Sequence, residues 1–211
     1  MTRASASGLL VLHSVRLAGF ADTPEVAQRF GLEPVQADDA LRDFQRRGWV
    51  QHSRFIDLSG WSLTEAGKIE NERQLARELD ESGARGALAE AHRDFLPANA
   101  RLLAACADWQ VRPSPSDVLA QNDHLDPHWD AGVLAELGSL EGFLGPLIRR
   151  LSGRLARFGG YDTRFAAALR RARAGDHDWV DRGGVDSCHR VWFQLHEDLI
   201  ATLGLTRGEA A

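Results

Sequence analysis

The sequence predicts a mainly α-helical protein: an N-terminal third that closes with a small two-stranded ribbon, then a C-terminal helical bundle. Three observations predict it. Apolar residues recur three and four apart through most of the 211 residues, the mark of one-sided helices. The pattern turns strand-like at Trp49–His52 and again at Trp61–Leu63. Pro24, Gly31, Gly48 and the run Ser82-Gly83-Ala84-Arg85-Gly86 fall where helices start and stop.

Each element follows from local chemistry. Residues 8–20 make an opening helix with Leu9, Leu12, Val15, Leu17 and Phe20 turned to a core. Thr23 caps a short helix, Pro24 suits its first turn, and Gly31 ends it in a left-handed conformation. A second helix runs from about Val35 to Arg47, with Ala37, Ala40, Leu41 and Phe44 inward and Gln36, Asp39, Arg42, Asp43 and Arg46 outward. Gly48 stops it. The ribbon follows, and its tip carries Phe55, Ile56 and Leu58 beside Arg54, apolar enough to lean on its own domain or on a partner chain.

Thr64 opens the next helix, which runs through Asp80. Two glycines in 82–86 weaken helix there and set the expected boundary between domains 1–82 and 83–211. Beyond it, Leu88, Ala91 and Phe95 resume the stripe, and Pro97 predicts a kink or a new helix with Leu102, Cys106 and Trp109 on one side. A polar, turn-rich stretch leads to Pro127. Val133, Leu137, Leu140, Leu144, Leu147, Leu151, Leu155 and Phe158 then step by three and four, with Gly142, Gly145 and Pro146 predicting a kink or two helices. Asp162 or Thr163 caps a helix that closes at Gly175, and Asp186 caps the last, with Cys188, Val191, Trp192, Leu195, Leu199 and Leu203 buried.

The stretches VAQRFGLEPVQADDALRDFQRRGWV and GWSLTEAGK resemble bacterial winged helix-turn-helix transcriptional regulators, the MarR-like group in particular, over the first third of the chain. The resemblance implies a second helix lying in the major groove of double-stranded DNA and a ribbon, the wing, reaching the backbone or minor groove. Gln36, Asp39, Arg42 and Arg46 then face the groove, with Arg47 and Arg54 on phosphates. It also implies a homodimer on a palindromic operator. The alternative is a winged-helix module that binds a protein instead.

Charge complicates the DNA reading. The net charge is −5, and residues 1–70 hold eight basic against nine acidic side chains. DNA affinity rests on neutralising phosphates, so a near-neutral head predicts modest, salt-sensitive binding that a dimer would reinforce. No run of about 18 apolar residues predicts a membrane span. Cys106 and Cys188 give neither zinc spacing nor a disulfide framework, which points to a cytoplasmic protein without a cofactor.

The second half segregates its charge: residues 113–148 hold six acids and no Lys or Arg, whereas 149–175 hold eight arginines against Asp162. Arg150, Arg154 and Arg157 recur at helical spacing and could share a face. The bland reading is solvated helix surface paired with nearby acids, and another lays this face along DNA flanking the operator. The sharper one is a pocket for a small aromatic or acyl effector with an anionic group, built from Trp109, Trp129, Arg150, Arg154, His189, Trp192 and His196. Metal binding is the lesser reading: His189 and His196 stand about 10.5 Å apart along a helix, and His124, His128, His177 and His196 lack a regular spacing. Asp186, Cys188 and His189 carry thiol-chemistry residue types but point apart at a helix start, so no enzyme is expected.

Overall fold

A computed structural model describes residues 2–56 and 58–205. The chain is mainly helical, with one two-stranded antiparallel sheet among the described residues. It forms two compact units, and neither is continuous in sequence. Among the described residues, one comprises those up to Gly86, Gly153–Arg157 and Glu197 to Leu205; the other comprises Ala87–Ser152 and Phe158–His196.

The first unit opens with α1 (Ser7–Ala18), α2 (Thr23–Arg29) and α3 (Pro34–Arg46). The hairpin β1 (Val50–Phe55) and β2 (Leu58–Leu63) and the helix α4 (Glu65–Ser82) follow. Ala37, Leu41 and Phe44 of α3 join Leu12, Val15, Val26, Val50 and Trp61 in one apolar cluster, as the helical spacing predicts. Gly31 sits at φ 62 and Gly48 at φ 73, the left-handed turns expected at those helix ends. The cap of α2 differs from expectation. Asp22 accepts from the Glu25 amide at 2.8 Å, which leaves the Thr23 hydroxyl to accept from Trp61 Nε1 at 3.0 Å.

The strands pair from Val50↔Leu63 to Phe55↔Leu58, and Ala21 bridges to Trp61 on the far edge of β2. Gly60 lies under Phe20, where a Cβ would stand 2.8 Å from the ring and 2.9 Å from the Ala21 carbonyl oxygen. Thr64 fastens the exit from the hairpin. Its hydroxyl donates to the Gly48 carbonyl at 2.6 Å and accepts from the Gly67 amide at 3.0 Å. Gly67 permits this closure, since a Cβ there would fall 1.8 Å from the Trp49 carbonyl oxygen. The GWSLTEAGK stretch thus consists largely of residues that clamp α4 onto the turn before β1.

Beneath the apolar cluster lies a buried polar one, held by segments far apart in sequence. Arg157, in a 3₁₀ turn at Ala156–Phe158, donates to Glu78 Oε2 at 2.8 Å and to Thr202 Oγ1 at 2.7 Å. Its third nitrogen donates to Asp198, which lies 3.0 Å from His13 Nε2; His13 Nδ1 in turn meets Asn71 Oδ1 at 3.2 Å. Arg157, Asp198 and His13 expose no side-chain surface. Burial alone disfavours the Asp198 carboxylate, yet Arg157 and His13 outweigh it and hold the group well below the usual carboxylate range. The expectation that Arg157 shares a helix face with Arg150 and Arg154 is corrected here. The helix carrying Arg150 ends at Ser152, and the tight turn that follows swings Arg157 inward.

The second unit is all helical. It contains most of α5 (Arg85–Gln110), α6 (Pro127–Ser152), α7 (Tyr161–Arg173), the short α8 (Asp178–Asp181) and the first half of α9 (Cys188–Leu203). Pro97 and Pro146 are accommodated within α5 and α6, each of which runs as one element through its proline. Buried Trp192 stacks on Phe95 at 4.9 Å and meets Phe165, tilted, at 5.8 Å. Ser187, rather than Asp186, caps α9 by accepting from the Arg190 amide at 3.2 Å; Asp186 pairs with Arg164 instead. Among the described residues α6 is long and apolar enough to cross a membrane, although Val133, Leu137, Leu140, Leu144, Leu147 and Leu151 are buried within the protein.

Candidate nucleic-acid interface

Burial of Ala37, Leu41 and Phe44 fixes which side of α3 faces water. Val35, Gln36, Asp39, Arg42 and Arg46 are all exposed, so four of the predicted groove-facing residues share an outward surface. Arg42 and Arg46 keep 64% and 70% of their side-chain surface. Each cation already has an internal partner: Arg42 donates to Asp38 at 2.7 Å, and Asp43 accepts from Arg46 at 3.0 Å and Arg47 at 2.6 Å. The hydrogen bond to Asp38 raises the Arg42 pKa, and the Asp38 charge adds to it. Desolvation works against the Asp43 carboxylate, but hydrogen bonds from Arg47 and Arg46 bring its pKa down. Exposed pairs of this kind contribute little to stability. Arg47 differs in also lying over the Trp49 ring at 5.0 Å, which orients its guanidinium.

The hairpin stands next in the chain. Arg54 is exposed on β1 opposite Ser59, and His52 is held by Ser59 at 3.2 Å and by the edge of Trp61 at 4.6 Å. Beyond them Phe55, Ile56 and Leu58 form an exposed apolar tip, with Phe55 reaching back to Phe20 at 6.4 Å. The structure thus brings five of the six predicted nucleic-acid contacts onto α3 and its exit, and places Arg54 on the adjoining hairpin.

The predicted effector set disperses. Trp192 is buried and donates to Asn99 Oδ1 at 3.1 Å, and His196 packs on Phe95 at 5.1 Å. Trp129 donates to the Asp108 carbonyl at 2.7 Å. Arg150 pairs with Asp94 at 2.6 Å, and His189 is half-buried on the first turn of α9. Arg154 falls in the other unit, where its carbonyl accepts from the Arg3 amide at 3.0 Å. Trp109 instead meets His124 and His177, at 4.4 and 5.3 Å between ring centroids.

His124 and His177 lie 4.5 Å apart, and His124 is fixed by Asp130 at 2.9 Å, a carboxylate that also accepts from buried Asn122 at 2.9 Å. His124 takes this position at φ 58, which is uncommon for a residue other than glycine. The sequence signal is the density of polar turn residues in QNDHLDPHWD, which close the loop after α5. Among the described residues no three metal-ligating side chains converge.

The first unit carries a groove of about 800 Å³, lined by Arg16, Lys68, Glu72, Arg85, Ile200 and Leu203 among others. Its lining mixes apolar and charged side chains. Arg16 crosses it, donating to Glu72 at 3.0 Å and to Glu197 at 2.9 Å. Sequence reasoning missed it because its walls come from α1, α4 and the end of α9. No family model, no curated protein and no solved structure matches this chain.

Proposed function

We propose that the first unit is a winged helix-turn-helix DNA reader and that the protein is a transcriptional regulator of MarR-like kind, working as a homodimer on a palindromic operator. The observation that carries the reading is the outward face of α3: Gln36, Asp39, Arg42 and Arg46 are exposed together on a helix anchored by Ala37, Leu41 and Phe44, directly ahead of a clamped hairpin. In this reading α3 lies in the major groove, where Arg42 and Arg46 reach base edges or phosphates and Asp39 accepts from a cytosine amine. Arg47 and Arg54 meet the backbone. The groove beside Arg16, Lys68 and Arg85 suits an effector with an apolar body and a carboxylate, whose binding shifts affinity for DNA through different affinities for two conformations.

Gel-shift titration of genomic fragments at two salt concentrations tests the reading. Wild-type binding falls steeply with salt, and Arg42→Ala with Arg46→Ala flattens the log–log slope by about one per lost phosphate contact. No binding at low salt, or an unchanged slope in the double variant, overturns it. The pairing of Arg42, Arg46 and Arg47 with aspartates favours a second reading, a winged-helix module for a protein partner, which low-salt DNA binding by the wild type would exclude.

A further inference from the structure

We propose that base identity in the operator is set by Gln36 and Asp39, which read the amine-bearing edges of an adenine and a cytosine close together in the major groove; this rests on the DNA-reading function above. Burial of Ala37, Leu41 and Phe44 leaves both side chains exposed on the outward face of α3. They stand at i and i+3, about 5–6 Å apart between Cβ atoms. Successive base pairs lie about 3.4 Å apart, so the two side chains fall on pairs one or two steps from each other.

Hydrogen bonding separates these two residues from the arginines beside them. Arg42 donates to Asp38 at 2.7 Å, and Asp43 accepts from Arg46 at 3.0 Å and from Arg47 at 2.6 Å. Among the described residues Gln36 and Asp39 make no hydrogen bond, and Asp39 acts on Arg42 through its charge alone. Donor and acceptor chemistry then fixes what each can read. A carboxylate only accepts. The major groove offers it two amines, cytosine N4 and adenine N6, whereas the guanine and thymine edges carry acceptors. Adenine sets its N7 acceptor beside the amine, which opposes a carboxylate, so Asp39 selects cytosine. Gln36 carries a carbonyl oxygen and an amide N–H side by side, the complement of adenine N6 and N7.

The test uses the full chain and a pool of duplexes with a randomised central segment, selected at low salt and sequenced. Wild type enriches half-sites with one fixed C·G pair and one fixed A·T pair, one or two steps apart. Gln36→Ala loses the preference at the A·T pair alone. Asp39→Asn turns the C·G position to A·T, because a side-chain amide matches adenine. On the duplex selected by wild type, Gln36→Ala binds roughly 5- to 150-fold more weakly, with the salt slope unchanged because no phosphate contact is lost. Both sites are exposed, and each variant melts as wild type does. A selected motif whose positions ignore both substitutions, or low-salt binding with no motif, overturns the assignment and leaves the DNA-reading function standing. No binding by wild type overturns both.

Discussion

Replacing Arg157 with methionine isolates the buried polar cluster of the first unit. The guanidinium is wholly buried and is the shared donor to Glu78, Asp198 and Thr202. Burial alone would lower its pKa; Asp198 and Glu78 more than compensate and raise it, so the charge is fixed in place. Methionine fills much of the same volume but leaves Glu78 and Asp198 without their shared cation in a site where water does not reach. Breaking one side of a buried pair costs about 3–5 kcal/mol. At roughly 2–4 °C per kcal/mol for a chain of this length, Arg157→Met lowers the melting temperature by about 6–20 °C. Adding Glu78→Gln and Asp198→Asn to the same background removes the stranded charges and recovers more than half of the loss. Circular dichroism and urea titration of the three proteins decide it. A loss below about 0.5 kcal/mol, within the range of an ordinary surface substitution, would refute the claim that these charges depend on one another.

Three further outcomes follow from the same geometry. Gly67→Ala drives a methyl group into the Trp49 carbonyl and lowers stability by about 1–3 kcal/mol or more, whereas Gly86→Ala, where nothing lies within 4 Å, does not; thermal melting compares the two. Cys106 and Cys188 are buried thiols pushed up to about 12 by desolvation, with Asp181 adding to it at Cys106 and the Cys106 thiol at Cys188, so neither reacts with a thiol reagent at pH 8 until the protein unfolds. Rapid labelling of the native protein would refute this. Stability falls with acid in two stages: burial lowers the His92 pKa, so the unfolded chain takes up that proton first as pH drops through about 6.5. The depressed Asp198 then withdraws its contribution as pH falls below about 4 toward its folded value. Denaturation across pH 3–8 measures the curve, and His92→Phe flattens its upper stage.

The first unit was the more legible half, for reasons visible residue by residue. Ala37, Leu41 and Phe44 carry a period that alone decides which face of α3 meets water, and Gly31 and Gly48 mark its neighbouring turns. The hairpin is longer than the expected Trp49–His52 and Trp61–Leu63, because polar residues at Ser53 and Arg54 pair through backbone groups that side-chain patterning does not reveal. Arg157 was illegible. In sequence it belongs to an arginine-rich run that looks like solvated surface, and its partners Glu78 and Asp198 lie 79 and 41 residues away. The surroundings of the predicted effector residues were illegible for a related reason: aromatic and basic residue types mark pockets and cores alike, and only tertiary packing shows that Trp192 stacks on Phe95.

The discontinuous make-up of the first unit has a practical corollary for anyone building chimeras. A fragment cut after α4 would look self-sufficient on paper, with three helices, a hairpin and a capped fourth helix. It would carry Glu78 and His13 without Arg157 and Asp198, and Leu9 and Leu75 without Ala201. A transplantable version must therefore bring Gly153–Arg157 and the closing turns of α9 along on a new tether, or swap Glu78 and His13 for hydrocarbon.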